Sequence, residues 1–248
     1  MAVEPEGARG PPPALSAGAR PARYTASVPP APTPSLAAAF AASPLRHARF
    51  RGFYFASIGV ALGYTMTSTM AAWLMATMTP SALMVALVQT ASTAPAFVVG
   101  LLAGALADIV ERRRVILATQ VVFLAGALLL GAAALADLMA PWPLLVLTFV
   151  IGTGFTFYMP AQQASINDLV GRADVPQAVA LGAVAMNVAR ALGPATAGAV
   201  AAWLGTGNAF LASAACFVAM IFVVRGWPPQ GATLPGVPET LLSGIGSG

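Results

Sequence analysis

Apolar residues in this chain do not alternate with polar ones; they run. Six stretches between residues 53 and 224 are apolar almost throughout: about Phe53–Met78, Leu83–Ala107, Val115–Ala136, Leu144–Ile166, Gln177–Leu204 and Ala209–Val224. A helix needs ~20 such residues to cross the hydrocarbon core, with a range of ~17–25. Each stretch reaches or approaches that length. The breaks between them carry turn chemistry: Thr79-Pro80-Ser81, a charged loop before Val115, Asp137 to Pro143, Asp168 to Pro176, and Gly205-Thr206-Gly207-Asn208. The pattern predicts helix throughout, because within lipid every backbone donor must be satisfied inside its own segment. No strand-period alternation competes with it.

The flanks read differently. Residues 1–43 are rich in Pro and Ala, and residues 226–248 in Pro and Gly. Proline lacks the amide donor and restricts the residue before it, so residues 1–43 are expected to be a disordered cytoplasmic tail and residues 226–248 a Pro/Gly-rich cytoplasmic tail, on either side of a bundle spanning 44–225. The first tail has no compact apolar core behind a basic start and does not read as a signal peptide.

Composition agrees with a polytopic membrane protein. The chain is 58% hydrophobic and 8% charged, whereas soluble domains carry roughly 25% charged residues. The net charge of +4 comes from arginine, with no lysine present. Its distribution argues against nucleic-acid binding, which needs basic residues gathered on one solvated face. Arg46, Arg49, Arg51, Arg112, Arg113, Arg114, Arg172 and Arg225 all flank alternate junctions, and the opposite loops hold none. Arginines stay cytoplasmic. The expected topology is six transmembrane helices in the inner (plasma) membrane, with both termini cytoplasmic. Lone Cys216 in an apolar run reads as packing, and lone His47 as a headgroup-level residue. No cluster suggests a metal, a cofactor or an enzyme's nucleophile and base.

The densest charge lies in the loop from Gly104 to Arg114. Gly104, Asp108, Arg112 and Arg113 fall in register with a pattern of Gly, three residues, Asp, Arg, one residue, Gly, Arg, Arg or Lys. Ile109 and Glu111 depart from it. This loop resembles the signature between spans two and three of the major facilitator superfamily. Glu111 before a double arginine resembles the siderophore-exporter-like, secretion-effector branch. Physically, Arg112 or Arg113 can pair with Asp168 at the end of span four, and Asp108 can meet helix-terminal amides. Two readings stand: a latch on one state of a rocking bundle, or a solvated, topology-fixing turn.

Gly193, Pro194 and Gly198 in span five resemble the helix-bend motif of exporters in the same superfamily; Ala197 replaces one glycine. Paired with Pro95, Gly100 and Gly104 in span two, they suggest a 3+3 inverted repeat. Arg190 sits deep in span five, where an arginine costs at least ~2.5 kcal/mol. It either faces a polar cavity and an anionic solute or bonds backbone carbonyls. Asn187, Tyr64, Gln89 and Gln162 complete the expected substrate path, within a wider polar set of Ser57, Thr65, Thr67, Ser68 and Thr69 in span one, Thr90, Ser92 and Thr93 in span two, and Tyr158, Gln163, Asn167 and Asp168 in span four.

The resemblance covers about Pro44 to Val224 and implies the amino-terminal half of a facilitator fold, all-α, moving a small amphipathic or anionic solute outward by alternating access. The segment from Leu234 to Gly248 resembles a central cytoplasmic loop, so a truncated or half-length carrier is expected, working with a second six-helix half or as a homodimer. A non-transporting fragment or accessory subunit is the alternative. Thr148 and Ile151 stand where drug–proton antiporters carry Arg and Gln, and no carboxylate lies deep in a span, so nothing in the residues supplies proton coupling.

Overall fold

Long apolar runs, bounded by capping residues and prolines, fold here as six α-helices. The structure is a computed structural model that describes residues 43–227, without the side chains at 105 and 107–109. Nearly all of both expected tails lies outside the described residues. The helices are α1 (Ala48–Met78), α2 (Ala82–Ile109), α3 (Arg112–Leu135), α4 (Pro141–Leu169), α5 (Val175–Leu204) and α6 (Thr206–Arg225). Short 3-10 turns at Pro44–Arg46 and Arg172–Asp174 precede α1 and α5. No strand occurs among the described residues.

The helix ends follow local chemistry. Ser81 caps α2 by accepting from the Met84 amide at 3.4 Å, satisfying one of the orphan donors of a first turn. Prolines open α4 and α5, where a missing amide donor is harmless. Gly205 takes φ +90° between α5 and α6, a conformation that a side chain would strain. α1 begins ahead of the expected Phe53 and draws Arg49 and Arg51 into its first turns. α2 runs on to Ile109, so Asp108 lies in its final turn and not in a loop.

Five of the helices, α2 to α6, are long and apolar enough to cross a membrane. This multi-pass pattern makes the chain an all-α membrane protein. α1, expected as the first span, falls short of that apolarity although it is 31 residues long. The reason is the run of hydroxyl side chains through its middle, Ser57, Tyr64, Thr65, Thr67, Ser68 and Thr69. The hydroxyls are bonded within the helix: Ser57 to the Phe53 carbonyl, Thr67 to Gly63 and Thr69 to Thr65, each at 2.8 Å.

α1 packs chiefly on α5 and α6, α4 on α2 and α3, and α3 on α6. The core lies between α1, α3, α4 and α6, filled by Phe50, Phe53, Phe123, Phe210, Phe217, Leu130 and Leu144. Helix association in lipid favours small residues that let backbones approach. A Cβ on Gly152 of α4 would stand 2.6 Å from the Ser92 carbonyl oxygen of α2. Thr67 also donates to Ser213 at 2.8 Å, joining α1 to α6. α2 and α5 flank the bundle and stay open on one side. Phe97 and Leu101 on α2 are 90% and 93% exposed, and Gly100, Gly104 and Gly198 face open space.

Candidate functional site: a cavity between α1, α4 and α5

Three helices present polar residues to one another at helical spacing. Tyr158, Gln162 and Ile166 recur every four residues on α4; Gly182, Met186 and Arg190 do so on α5. Residues four apart share a helix face. Those two stripes meet Ser57 and Ala61 of α1 around a cavity of about 310 Å³. Asn187, Gln163, Phe155 and Met159 also line it.

Arg190 is the charged group of this wall. It lies ~22 Å along α5 from Val175, at ~1.5 Å per residue, too far for its side chain to snorkel to that end. Among the described residues its guanidinium has no hydrogen-bond or ion-pair partner. Pro194, one turn on, cannot donate to the Arg190 carbonyl. α5 is instead tied to α1 there: the Thr65 hydroxyl donates to the Ala189 carbonyl at 3.0 Å. Gly193 makes this approach possible, since a Cβ would stand 2.7 Å from Thr65 Cβ. Of the bend motif, Gly193 is buried against α1, while Pro194 and Gly198 are exposed.

The other path residues divide. Asn187 and Gln162 line the cavity with Arg190. Tyr64 does not; it stacks on Phe155 with ring centroids 3.9 Å apart and donates to the Ser92 carbonyl at 3.3 Å. It stiffens the wall from behind. Gln89 is exposed on α2, away from the cavity, where its carbonyl accepts from Ser92 and Thr93.

At the arginine-bearing end of the bundle, Arg112 forms an ion pair with Asp168 and donates to the Ala164 carbonyl at 3.0 Å. The start of α3 is thereby fastened to the end of α4. Arg113 donates to the Arg225 carbonyl at 3.1 Å, a cation at the negative end of α6. Arg114 pairs with Glu111 at 2.9 Å. Gly104 meets nothing, and the Asp108 side chain lies outside the described residues. Arg112 and Asp168 are thus brought together, and Gly104 stands apart.

One cluster escaped the sequence reading. Asp174, with only 12% of its side chain exposed, accepts from Arg46 at 2.6 Å and faces His47 Nε2 at 3.1 Å. His47, read as a headgroup-level residue, has a carboxylate partner. The pairing joins the turn before α1 to the turn before α5, and no local motif announces a contact so distant in the chain.

A family model described as transmembrane secretion effector matches residues 38–248. No curated protein matches the chain.

Proposed function

Since the chain belongs to the transmembrane secretion effector family of the major facilitator superfamily, a family of membrane transporters, we propose that it exports a small amphipathic or anionic solute by alternating access through the α1–α4–α5 cavity. One observation carries this reading: Arg190, far along α5 from either end, lines a cavity and has no hydrogen-bond or ion-pair partner among the described residues. A charge at mid-span depth is retained in lipid only where it faces a polar path or a counter-charge. An anionic group on the solute supplies that counter-charge.

The finer architecture belongs to the same proposal. α1 joins α2 to α6 as a sixth span, its hydroxyls satisfied by its own carbonyls. Exchanging α1, α2 and α3 for α4, α5 and α6 carries the α1–α5 pair onto α4–α2, and α1–α6 onto α4–α3, while α3–α6 maps onto itself. That exchange supports a 3+3 inverted repeat. Arginines at alternate junctions support an inner-membrane topology with both termini cytoplasmic. The unpartnered faces of α2 and α5 fit a second six-helix bundle, which closes the cavity from the other side. The Arg112–Asp168 pair serves as a latch for one state of the rocking bundle.

The test is flux. The chain, reconstituted alone in liposomes, is expected to move a fluorescent sulfonate amphiphile faster than empty vesicles. Arg190→Gln is expected to lower that flux at least tenfold while the helical content holds. Wild-type flux equal to empty vesicles defeats autonomous transport and favours an accessory membrane subunit.

A further inference from the structure

α2 and α3 follow one another in the chain and both pack on α4, yet they hardly touch each other. α5 and α6, also neighbours in the chain, pack directly. Between α2 and α3 lies a groove of about 580 Å³, walled on its third side by α4. Leu106 and Val110 of α2, Val115 and Val122 of α3, and Phe149 and Phe157 of α4 line it. Two hydroxyls also belong to the lining, and both are spent on their own helices. Thr119 donates to the Ile116 carbonyl and Thr153 to the Phe149 carbonyl, each at 2.8 Å. The lining therefore asks for no hydrogen bond along its length.

Its mouth is charged. Arg114 lines the groove at the arginine-bearing end of the bundle, with 80% of its side chain exposed. Glu111 accepts from its Nε at 2.9 Å, and its two terminal nitrogens have no partner among the described residues. Arg112 and Arg113 are engaged elsewhere, with Asp168 and the Arg225 carbonyl. From Arg114 the α3 wall runs ~12 Å to Val122, most of the ~15 Å depth of one leaflet's hydrocarbon.

The groove also lies away from the open face of α2. Leu106 follows Phe97 by ~2.5 turns at ~3.6 residues per turn, so it stands across the helix from that exposed phenylalanine. A second bundle seated on the Phe97 side leaves the groove turned to lipid. An acyl chain gains little by exchanging lipid tails for leucine and valine. What sets this groove apart from other apolar surface is the guanidinium at its mouth, whose planar fork of N–H donors suits phosphate oxygens.

We propose that the groove between α2, α3 and α4 is an anionic-phospholipid site: one acyl chain lies in the groove and the lipid phosphate sits on Arg114. The lipid fills the space that the chain itself leaves between two successive helices. The site is separate from the α1–α4–α5 cavity, and its test needs no flux.

The full chain is placed in nanodiscs containing phosphatidylglycerol with a diazirine midway along one acyl chain, and labelled residues are mapped by mass spectrometry after photolysis. Labelling at Val122, Thr153 and Phe157 is expected to exceed that at Phe222, an exposed residue of α6 at the same end of the bundle. Arg114→Gln is expected to lower the groove labelling roughly fivefold, the worth of one arginine at an anionic headgroup, and to leave Phe222 labelling unchanged. Thr153→Trp, which fills the groove, is expected to abolish the groove labelling with Arg114 intact. A diacylglycerol with the same diazirine chain but no phosphate is expected to label the groove no more than Phe222. Equal labelling of the groove and Phe222 by phosphatidylglycerol would mean general bilayer contact only and overturns the proposal. So does groove labelling that survives Arg114→Gln, Thr153→Trp or removal of the phosphate. A disulfide between copies through Val150→Cys in a Cys216→Ala background would put protein in the groove, and overturns it too.

Discussion

Thr65 of α1 donates to the Ala189 carbonyl of α5 at 3.0 Å, one helical turn before Gly193, the position at which a side chain would strike Thr65. The bond and the bare glycine are one device. It holds α5 against α1 beside the helix bend, and so sets where Arg190 stands.

Gly193→Ala is expected to destabilise the bundle by about 1–3 kcal/mol through overpacking, read as unfolding in mixed micelles. Thr65→Ala in the same protein removes the hydroxyl but keeps the Cβ that the new methyl would meet at 2.7 Å, so it is expected to restore only part of the loss. Gly198→Ala, on the same helix but facing open space, is expected to be neutral or slightly stabilising, since alanine favours helix over glycine by about 1 kcal/mol.

Gly152→Ala makes the contrasting case. Its Cβ would stand 2.6 Å from a backbone oxygen, that of Ser92, which no substitution removes. A loss of about 1–3 kcal/mol is expected here too, but Ser92→Ala is not expected to rescue it. Rescue would mean that α2 and α4 lie farther apart than described.

Arg112→Gln and Asp168→Asn are expected to be non-additive. Both partners are about a third exposed, so the coupling in a double-mutant cycle is expected at about 0.2–1 kcal/mol and to shrink with added salt. Additive losses at low salt would leave Arg112 acting only through the Ala164 carbonyl. Asp168→Asn with unchanged stability but altered flux would place the pair's role in switching between states.

Single cysteines in a Cys216→Ala background test sidedness. Replacements at Arg49, Arg114 and Arg172 are expected to react with an impermeant thiol reagent from one face of sealed vesicles. Replacements at Asp137 and Asn208 are expected to react from the other. Mixed labelling within either set contradicts the alternation of α1 to α6.

What was readable in the chain, and what was not, divides along physical lines. Apolar runs locate all six helices to within a turn or so, because burial in lipid or core requires them to be apolar. Where the runs end, helix continues into polar residues such as Arg49 and Asp108, since the backbone stays bonded there whatever the side chain. Arg190 stands out because its charge is costly in a span, and it lies on the cavity wall with Asn187 and Gln162. Tyr64 and Gln89 carry the same kind of chemistry, yet a hydroxyl spent on a neighbouring carbonyl and an amide turned outward look no different in sequence from path-lining groups. Arg112 is legible through the register of a motif, and Asp168 as a carboxylate at the matching end of span four. The Asp174, Arg46 and His47 cluster is not, because three ordinary turn residues meet only once α1 and α5 have packed.

The modest apolarity of α1 carries a consequence for how the molecule is built. The helix with least to gain from lipid is synthesised ahead of the two it depends on most, α5 and α6. Thr65 and Thr67 already hydrogen bond to carbonyls of α1 itself and gain their second partners only when Ala189 of α5 and Ser213 of α6 arrive, so helices made later complete the contacts of this one. A chain released after α4 is expected to leave the face of α1 that packs on α5 and α6 without its partners.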